Sequence, residues 1–238
     1  MRFDLVIKIA TENWTMFMRG AGVTLLVSIT GTILGFIIGL LIGVVRTIPI
    51  SETGIKRFDS KVINAILSIY IEFFRGTPMI VQAMVIYYGS ALAFGVHLNR
   101  LVAAIFIVSI NTGAYMAEII RGGIISVDKG QFEAAQAIGM SHIQTMFNII
   151  LPQVIRNILP ATGNEFVINI KDTSVLNVIA VSELYFQSKS IAGNNFRFFE
   201  TFFVSSIIYL VMTITITRIL RYVEKKMDGP DNYIMTGN

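Results

Sequence analysis

Asp128-Lys129-Gly130-Gln131-Phe132-Glu133-Ala134-Ala135-Gln136-Ala137-Ile138-Gly139-Met140-Ser141-His142-Ile143-Gln144 is a compact polar interruption between two long apolar segments, and it leads on to Ile149, Leu151 and Pro152. Asp128 is followed three residues later by Gln131, and Ser141 by Gln144, the spacing of capping boxes. This predicts two short helices, about 129–139 and 142–150, hinged near Gly139. On the first, Phe132, Ala135 and Gly139 share a face at helical spacing, and Glu133 favours the early turns through the helix dipole. Small Ala135 and Gly139 would let another surface come close, with Phe132 as its apolar anchor. Pro152 opens the following helix, where its missing N–H costs nothing. Amphipathicity by itself reports only an apolar face. The loop is therefore either a partnerless surface element or a docking surface.

Around this loop the chain is built for lipid. Of 238 residues, 54% are hydrophobic and 14% charged, and the mean hydropathy is +0.68. A soluble domain of this size could not hide so much apolar surface, so a polytopic membrane protein is expected. Cysteine is absent, which excludes disulfides and thiolate metal sites. The net charge of +4 comes from residues flanking apolar spans, an orientation signal and not a nucleic-acid footprint. Five spans are predicted, about 23–45, 62–90, 101–120, 153–181 and 201–220, each long enough for a core of about 30 Å. The first 19 residues mix Asp4, Lys8 and Glu12 with Leu5, Ile9, Trp14 and Phe17. They read as an interfacial helix and not as a removable signal peptide.

Basic residues set the orientation. Arg46, Lys56, Arg57, Lys61, Arg121, Lys129, Arg156, Arg218, Arg221, Lys225 and Lys226 fall on one side, against Arg2, Lys8, Arg19, Arg100, Lys189 and Arg197 on the other. The bias predicts an outside N-terminus, a cytosolic C-terminus and a cytosolic Glu133 loop. Gly31, Gly35, Gly39 and Gly43 recur every four residues, a groove for close helix approach either within the chain or between subunits. No phosphate-binding GxxxxGK[ST] loop is present, so P-loop hydrolysis of ATP needs another chain.

Ionisable residues inside spans cost about 2.5–3.5 kcal/mol on insertion scales, so they pair or face water. The second span holds Glu72 and Arg75 just before Gly76-Thr77-Pro78, residues that weaken a helix and free its backbone groups. The third holds Asn111 and Thr112, with Glu118 nearer the cytosol, and the fourth holds Asn164-Glu165 and Lys171-Asp172-Thr173-Ser174. Counting along the spans brings Arg75, Asn111 and the Glu165–Ser174 segment to one depth. A zwitterionic amino acid would find a fork for its carboxylate in Arg75. Asp172 or Glu165 could accept its ammonium, with Thr77, Thr173 and Ser174 supplying hydroxyls. The alternative for each charge is an internal ion pair: Glu72 lies one turn from Arg75, Lys171 adjoins Asp172, and Glu118 suits a structural place at a cytosolic gate.

The loop spacing resembles the EAA loop of ATP-binding-cassette importer permeases. Glu72-Phe73-Phe74-Arg75-Gly76-Thr77-Pro78, Asn164-Glu165-Phe166 and Lys171-Asp172-Thr173-Ser174 are similar to the polar amino-acid branch (His, Glu, Gln, Arg and opine substrates), as is Gly113 through Gly123. The resemblance implies an all-α, five-span, type I (MetI-like) permease bundle with cytosolic coupling helices. It implies an interfacial segment 1–19, a transmembrane domain 20–223 with the coupling loop at about 128–152, and a cytosolic tail 224–238. Glu133, Ala134, Ala135 and Gly139 match the docking positions, and Phe132 supplies the anchor. The implied assembly lies in the bacterial inner membrane. It comprises a second permease copy, a cytosolic ATPase dimer that binds the ATP and magnesium, and an extracytoplasmic amino-acid-binding protein. This chain would bind no cofactor. A proton- or ion-coupled carrier is the rival reading, since membrane carboxylates can relay protons; missing internal repeats and the elaborate loop weigh against it. A membrane hydrolase lacks a nucleophile–base set, because His97 and His142 fall on opposite sides.

Overall fold

The computed structural model describes residues 3–48 and 55–228. Arg2 and residues 229–238 of the expected tail lie outside the described residues, as do the side chains of Lys56 and Arg57. Among the described residues the chain is helical: α1 (Phe3–Glu12), α2 (Trp14–Val45), α3 (Ile55–Gly76), α4 (Met79–Phe94), α5 (Arg100–Ile125), α6 (Lys129–Ala137), α7 (His142–Thr145), α8 (Leu151–Asp172), α9 (Leu184–Asn195) and α10 (Phe198–Asp228). A π-turn, Met146–Ile150, joins α7 to α8, and a 3₁₀ segment, Thr173–Ile179, continues α8.

The centre of the bundle is the seam between α2 and α5. Gly31, Gly35, Gly39 and Gly43 face Val108, Thr112, Met116 and Ile120 in the same order, so the two helices run parallel with a four-residue ridge laid into a four-residue groove. A Cβ added at Gly35 would stand 2.7 Å from Thr112 Cβ, and one at Gly43 2.8 Å from Ile120 Cγ2. The glycine groove is therefore filled by this chain's own α5. Direct backbone approach of this kind replaces the hydrophobic drive that lipid cannot supply.

Three apolar clusters run along this seam. One joins α1, the start of α2, α9 and α10 through Phe17, Leu184, Ile191 and Val204. The second packs α4, α5 and the 3₁₀ segment through Ala83, Ile107, Leu176 and Ile179. The third holds the α5 end, the polar loop and the start of α8 through Met116, Ile120, Met146, Ile150 and Val154. Val6 and Ile9 of α1 are buried in the first cluster, so the N-terminal helix packs on protein on one face while Phe3 and Ile7 stay exposed.

Three helices are long and apolar enough to cross a membrane: α2, α5 and α10. The expected second span is not one rod. It breaks at Gly76-Thr77-Pro78 into α3 and α4, bent by 111°, and together these make a fourth candidate. Proline removes an N–H and disfavours helical geometry in the residue before it, which ends α3. The expected fourth span, α8, has 22 residues and Pro152 in its first turn, but its polar residues leave it out of the apolar set. Its α-helix stops at Asp172, and the remainder to Ile179 is 3₁₀.

Gly35→Val should disrupt the α2–α5 seam. Overpacking of this kind costs about 1–3 kcal/mol even where neighbours yield, and here the clash is with a β-branched side chain. A clear drop in the unfolding temperature of the purified protein is expected, whereas Gly22→Val, where an added Cβ meets nothing within 4 Å, should leave it close to wild type.

Candidate functional site

Breaking a helix inside lipid orphans backbone groups, and the α3–α4 corner shows where they go. Gln82, buried on α4, donates through Nε2 to Phe74 O, Thr77 O and Thr77 Oγ1, each at 2.9 Å. Asn111 of α5 donates to Gln82 Oε1 at 2.9 Å and to Phe74 O at 3.3 Å. Tyr70 OH donates to Ile110 O at 2.6 Å. The corner is thus pinned to α5. Thr77 and Asn111, expected to meet substrate, are engaged here. Thr77 Oγ1 also donates to Phe73 O at 2.8 Å. Their polar atoms satisfy the broken backbone, a structural duty that outranks ligand contact in a medium without water.

Arg75 is not consumed in this way. It sits in the last turn of α3, where the helix dipole favours a cation, and its guanidinium lies 5.4 Å from the centroid of the Tyr115 ring on α5, within cation–π range. Glu165 of α8 lies within electrostatic reach of both Arg75 and Asp172. One cation and two carboxylates from α3 and α8 therefore converge beside an aromatic ring.

The other expected pathway residues part company with this cluster. Thr173 is fully buried and donates to Ile170 O at 3.0 Å, so its hydroxyl serves its own helix. Ser174 lines a separate cavity of about 430 Å³ with Lys171, Tyr185 and Tyr209. Glu118 is engaged at the far end of α5, accepting from Arg46 of α2 and from Arg121 Nη2 at 2.9 Å. Arg46 also donates to Ser68 of α3 at 3.3 Å. This clamp ties three helices and leaves the Glu118 carboxylate occupied.

Several polar anchors carry no sequence motif. Asn169 Nδ2 donates to Thr32 Oγ1 at 2.8 Å and to Thr112 Oγ1 at 3.0 Å, knotting α8 to both seam helices. Glu183, fully buried, caps α9 by accepting from Tyr185 N–H at 2.8 Å and Phe186 N–H at 2.6 Å, and it also accepts from Tyr209 OH at 3.1 Å. The signal for Gln82 and Asn169 was a single amide in an apolar run, which by itself marks burial without naming a partner.

The polar loop folds into two capped helices, as its spacing predicts. Asp128 caps α6 by accepting from Gly130 N–H at 2.6 Å, and this replaces the reciprocal box expected with Gln131. The Ser141–Gln144 box does form, with Ser141 N–H donating to Gln144 Oε1 at 2.9 Å and Gln144 N–H to Ser141 Oγ at 3.3 Å. At the hinge Gly139 has φ +80°. Its N–H donates to Gln136 O, while Met140 N–H donates to Ala135 O, the paired bonds of a Schellman ending that needs a left-handed residue.

The apolar faces are divided differently from the expectation. Phe132 packs against the loop–α8 cluster and Ala135 is buried, so both hold the loop to its own bundle. Glu133, beyond the first turn of α6, is exposed with Ala134 and Gly139. The uncovered apolar side chains are Ile138, Ile143 and Phe147, 77%, 69% and 63% exposed. The second loop helix does not stop before Pro152. It runs through the π-turn into α8 without a break, and π-turns inside helices frequently mark functional positions.

A family model described as a binding-protein-dependent transport system inner membrane component matches residues 35–229. The glutamine transport system permease protein GlnP of Escherichia coli (strain K12) is 39% identical over 213 residues, 89% of this chain and 93% of that protein. The arginine transport system permease protein ArtQ of Bacillus subtilis (strain 168) is 34% identical over 70% of this chain and 76% of its own length. Among solved structures, an amino acid ABC transporter crystallised with histidines matches with a TM-score of 0.78 at 36% identity, covering 91% of this chain and 96% of that one. An inward-facing methionine transporter, MetNI, matches at TM-score 0.73 and 16% identity over 90% and 97% of the two chains, a likeness of fold.

Gln82→Leu should unpin the α3–α4 corner. Each buried group left unpaired costs about 1–3 kcal/mol, and the variant orphans Phe74 O, Thr77 O and the Asn111 amide. Thermal unfolding should show a loss several times that of Gln153→Leu, whose amide only reaches its own helix at Ile149 O.

Proposed function

The chain belongs to the family of binding-protein-dependent transport system inner membrane components, a permease and not an ATPase, and from that premise we propose that it is the membrane subunit of an ATP-binding-cassette importer of polar amino acids. The observation that carries this reading is the convergence of Arg75, Glu165 and Asp172 beside Tyr115. A free amino acid carries one carboxylate and one ammonium. Arg75 offers a planar fork for the carboxylate, and the two carboxylates offer acceptors for the ammonium or a cationic side chain. Relatives named for glutamine and arginine transport support that substrate class.

In this reading α8 is the fifth crossing, the N-terminus lies outside, and the loop and C-terminus face the cytosol. The parallel course of α2 and α5 and the antiparallel pairing of α8 with α10, in which Val167 and Lys171 lie alongside Thr217 and Thr213, agree with that topology. Two copies of the chain assemble with a cytosolic ATPase dimer, which holds the ATP and magnesium, and an extracytoplasmic binding protein delivers the solute.

The geometry also suggests how force reaches the cargo. The ATPase grips the exposed side of the loop at Glu133, Ala134 and Gly139, with Ile138, Ile143 and Phe147 filling its groove. Phe132 and Ala135 seat the loop on the bundle. From His142 the helix is continuous to Asp172. At 1.5 Å per residue, Glu165 stands roughly 35 Å along this rod from the docking end. Tilting the rod would move Glu165 and Asp172 against Arg75, which belongs to the pinned α3–α4 corner. ATP binding would open the site outward, and hydrolysis would return it inward.

Arg75→Ala should lower ATP-driven amino-acid uptake in proteoliposomes by about 30-fold or more, the scale of losing one partner of a buried charged pair. The complex should still assemble and keep basal ATPase activity. Normal uptake would remove Arg75 from the site. The double variant Ile143→Asp and Phe147→Asp should release the ATPase on size exclusion while the permease remains folded. Retention of a fully coupled ATPase would sink the docking assignment.

A further inference from the structure

A second polar region lies between α8 and α10, lined by none of Arg75, Glu165 or Asp172. It is a groove of about 360 Å³ whose polar lining is Lys171, Thr213, Thr217, Arg218 and Arg221. None of the three cations makes an ion pair or hydrogen bond among the described residues. Lys171 feels its neighbour Asp172 electrostatically, and Glu224 lines the cytosolic edge of the groove beside Arg221. Three cations against these two carboxylates leave the groove net cationic. Unpaired cations facing lipid are costly unless an anion joins them.

The groove continues along the same two helices. Val167, Thr217 and Arg221 are shared with a slot of about 210 Å³. Through Gly163 and Leu220 this opens into an apolar slot of about 240 Å³ lined by Ile29, Ile33, Leu159 and Phe166. A Cβ at Gly163 would stand 3.2 Å from Leu220 Cδ1, so the glycine keeps the passage clear. A cationic pocket with hydroxyls thus leads into a dry channel wide enough for a hydrocarbon chain.

We propose that this groove binds an anionic phospholipid of the cytoplasmic leaflet, with the phosphate at Lys171, Arg218 and Arg221 and one acyl chain in the Ile29–Leu159–Phe166 slot. The inference rests on the orientation proposed above, which puts the Arg218–Arg221 end of α10 toward the cytosol. Basic pockets between membrane helices on that side are suited to anionic head groups. The lipid neutralises charges that the protein leaves uncompensated and wedges α8 against α10, so it would bear on the rod that carries Glu165 and Asp172.

The test uses the assembled transporter, purified in detergent and offered phosphatidylglycerol or phosphatidylcholine of equal chain length, with retained lipid counted by native mass spectrometry. Wild type should retain phosphatidylglycerol in preference, and Arg218→Gln with Arg221→Gln should lower that preference by about fivefold per cation removed. Lys225→Gln with Lys226→Gln, outside the groove, should leave it unchanged. Gly163→Leu, which blocks the slot without touching a charge, should also weaken retention. Equal retention by all variants would overturn the proposal. So would competition by inorganic phosphate as effective as by the lipid, which would mark a site for a free anion only. Cross-linking of Thr217→Cys between two copies would show that a second subunit covers the groove, which also overturns it. The cysteine-free natural sequence makes that measurement clean. Lipid counting does not depend on transport, so its failure is distinguishable from failure of the importer reading.

Discussion

Lipid offers no hydrogen bonds, and this constraint organises the polar chemistry of the molecule. Every backbone group freed by a bend, and every amide or hydroxyl in a span, must find its partner in the bundle. Gln82 and Asn111 absorb the carbonyls released where α3 turns into α4. Asn169 ties α8 to Thr32 and Thr112 on the seam helices. Glu118 is held between Arg46 and Arg121. Once these obligations are met, few polar side chains at mid-depth are left uncommitted. Arg75, Glu165 and Asp172 are those that gather in one place, which is why they mark the site.

The seam and the rod divide the bundle into a fixed part and a driven part. Glycines bring α2 and α5 into backbone contact, and close packing of this kind resists deformation. The α3–α4 corner is pinned to the same α5. By contrast, the helix that starts at His142 runs from the exposed loop through a π-turn to Asp172. A π-turn is a local excess residue in the ladder, a natural place for a helix to change register or tilt. The charges that would hold a solute thus sit on opposite sides of that division.

Much of this was legible along the chain. Hydropathy located the apolar segments, and the Gly76-Thr77-Pro78 sequence marked the weak point of the second. Asp128, Ser141, Gly139 and Pro152 marked the ends and hinge of the loop helices. Caps, proline and a left-handed glycine act within a few residues, so spacing suffices to read them. The site was less legible. Thr77, Asn111 and Thr173 looked like ligands because they are polar at the right depth, yet their hydroxyls and amide serve the backbone. Phe132 looked like the exposed anchor because helical spacing reports one apolar stripe, and it does not say which surface covers it.

The sequence by itself determined that the chain belongs in a membrane, how its loop helices begin and end, and which ionisable residues lie in the spans, because transfer cost and capping are local properties of residues. The tertiary structure alone decided that the α2 glycines meet α5, that Gln82 and Asn169 are the hidden anchors, that Ile138, Ile143 and Phe147 are uncovered, and that Arg75 faces Glu165. Each of those facts depends on a partner brought from another helix. In a densely packed bundle the neighbour across the interface, and not the neighbour in sequence, fixes what a polar group is free to bind.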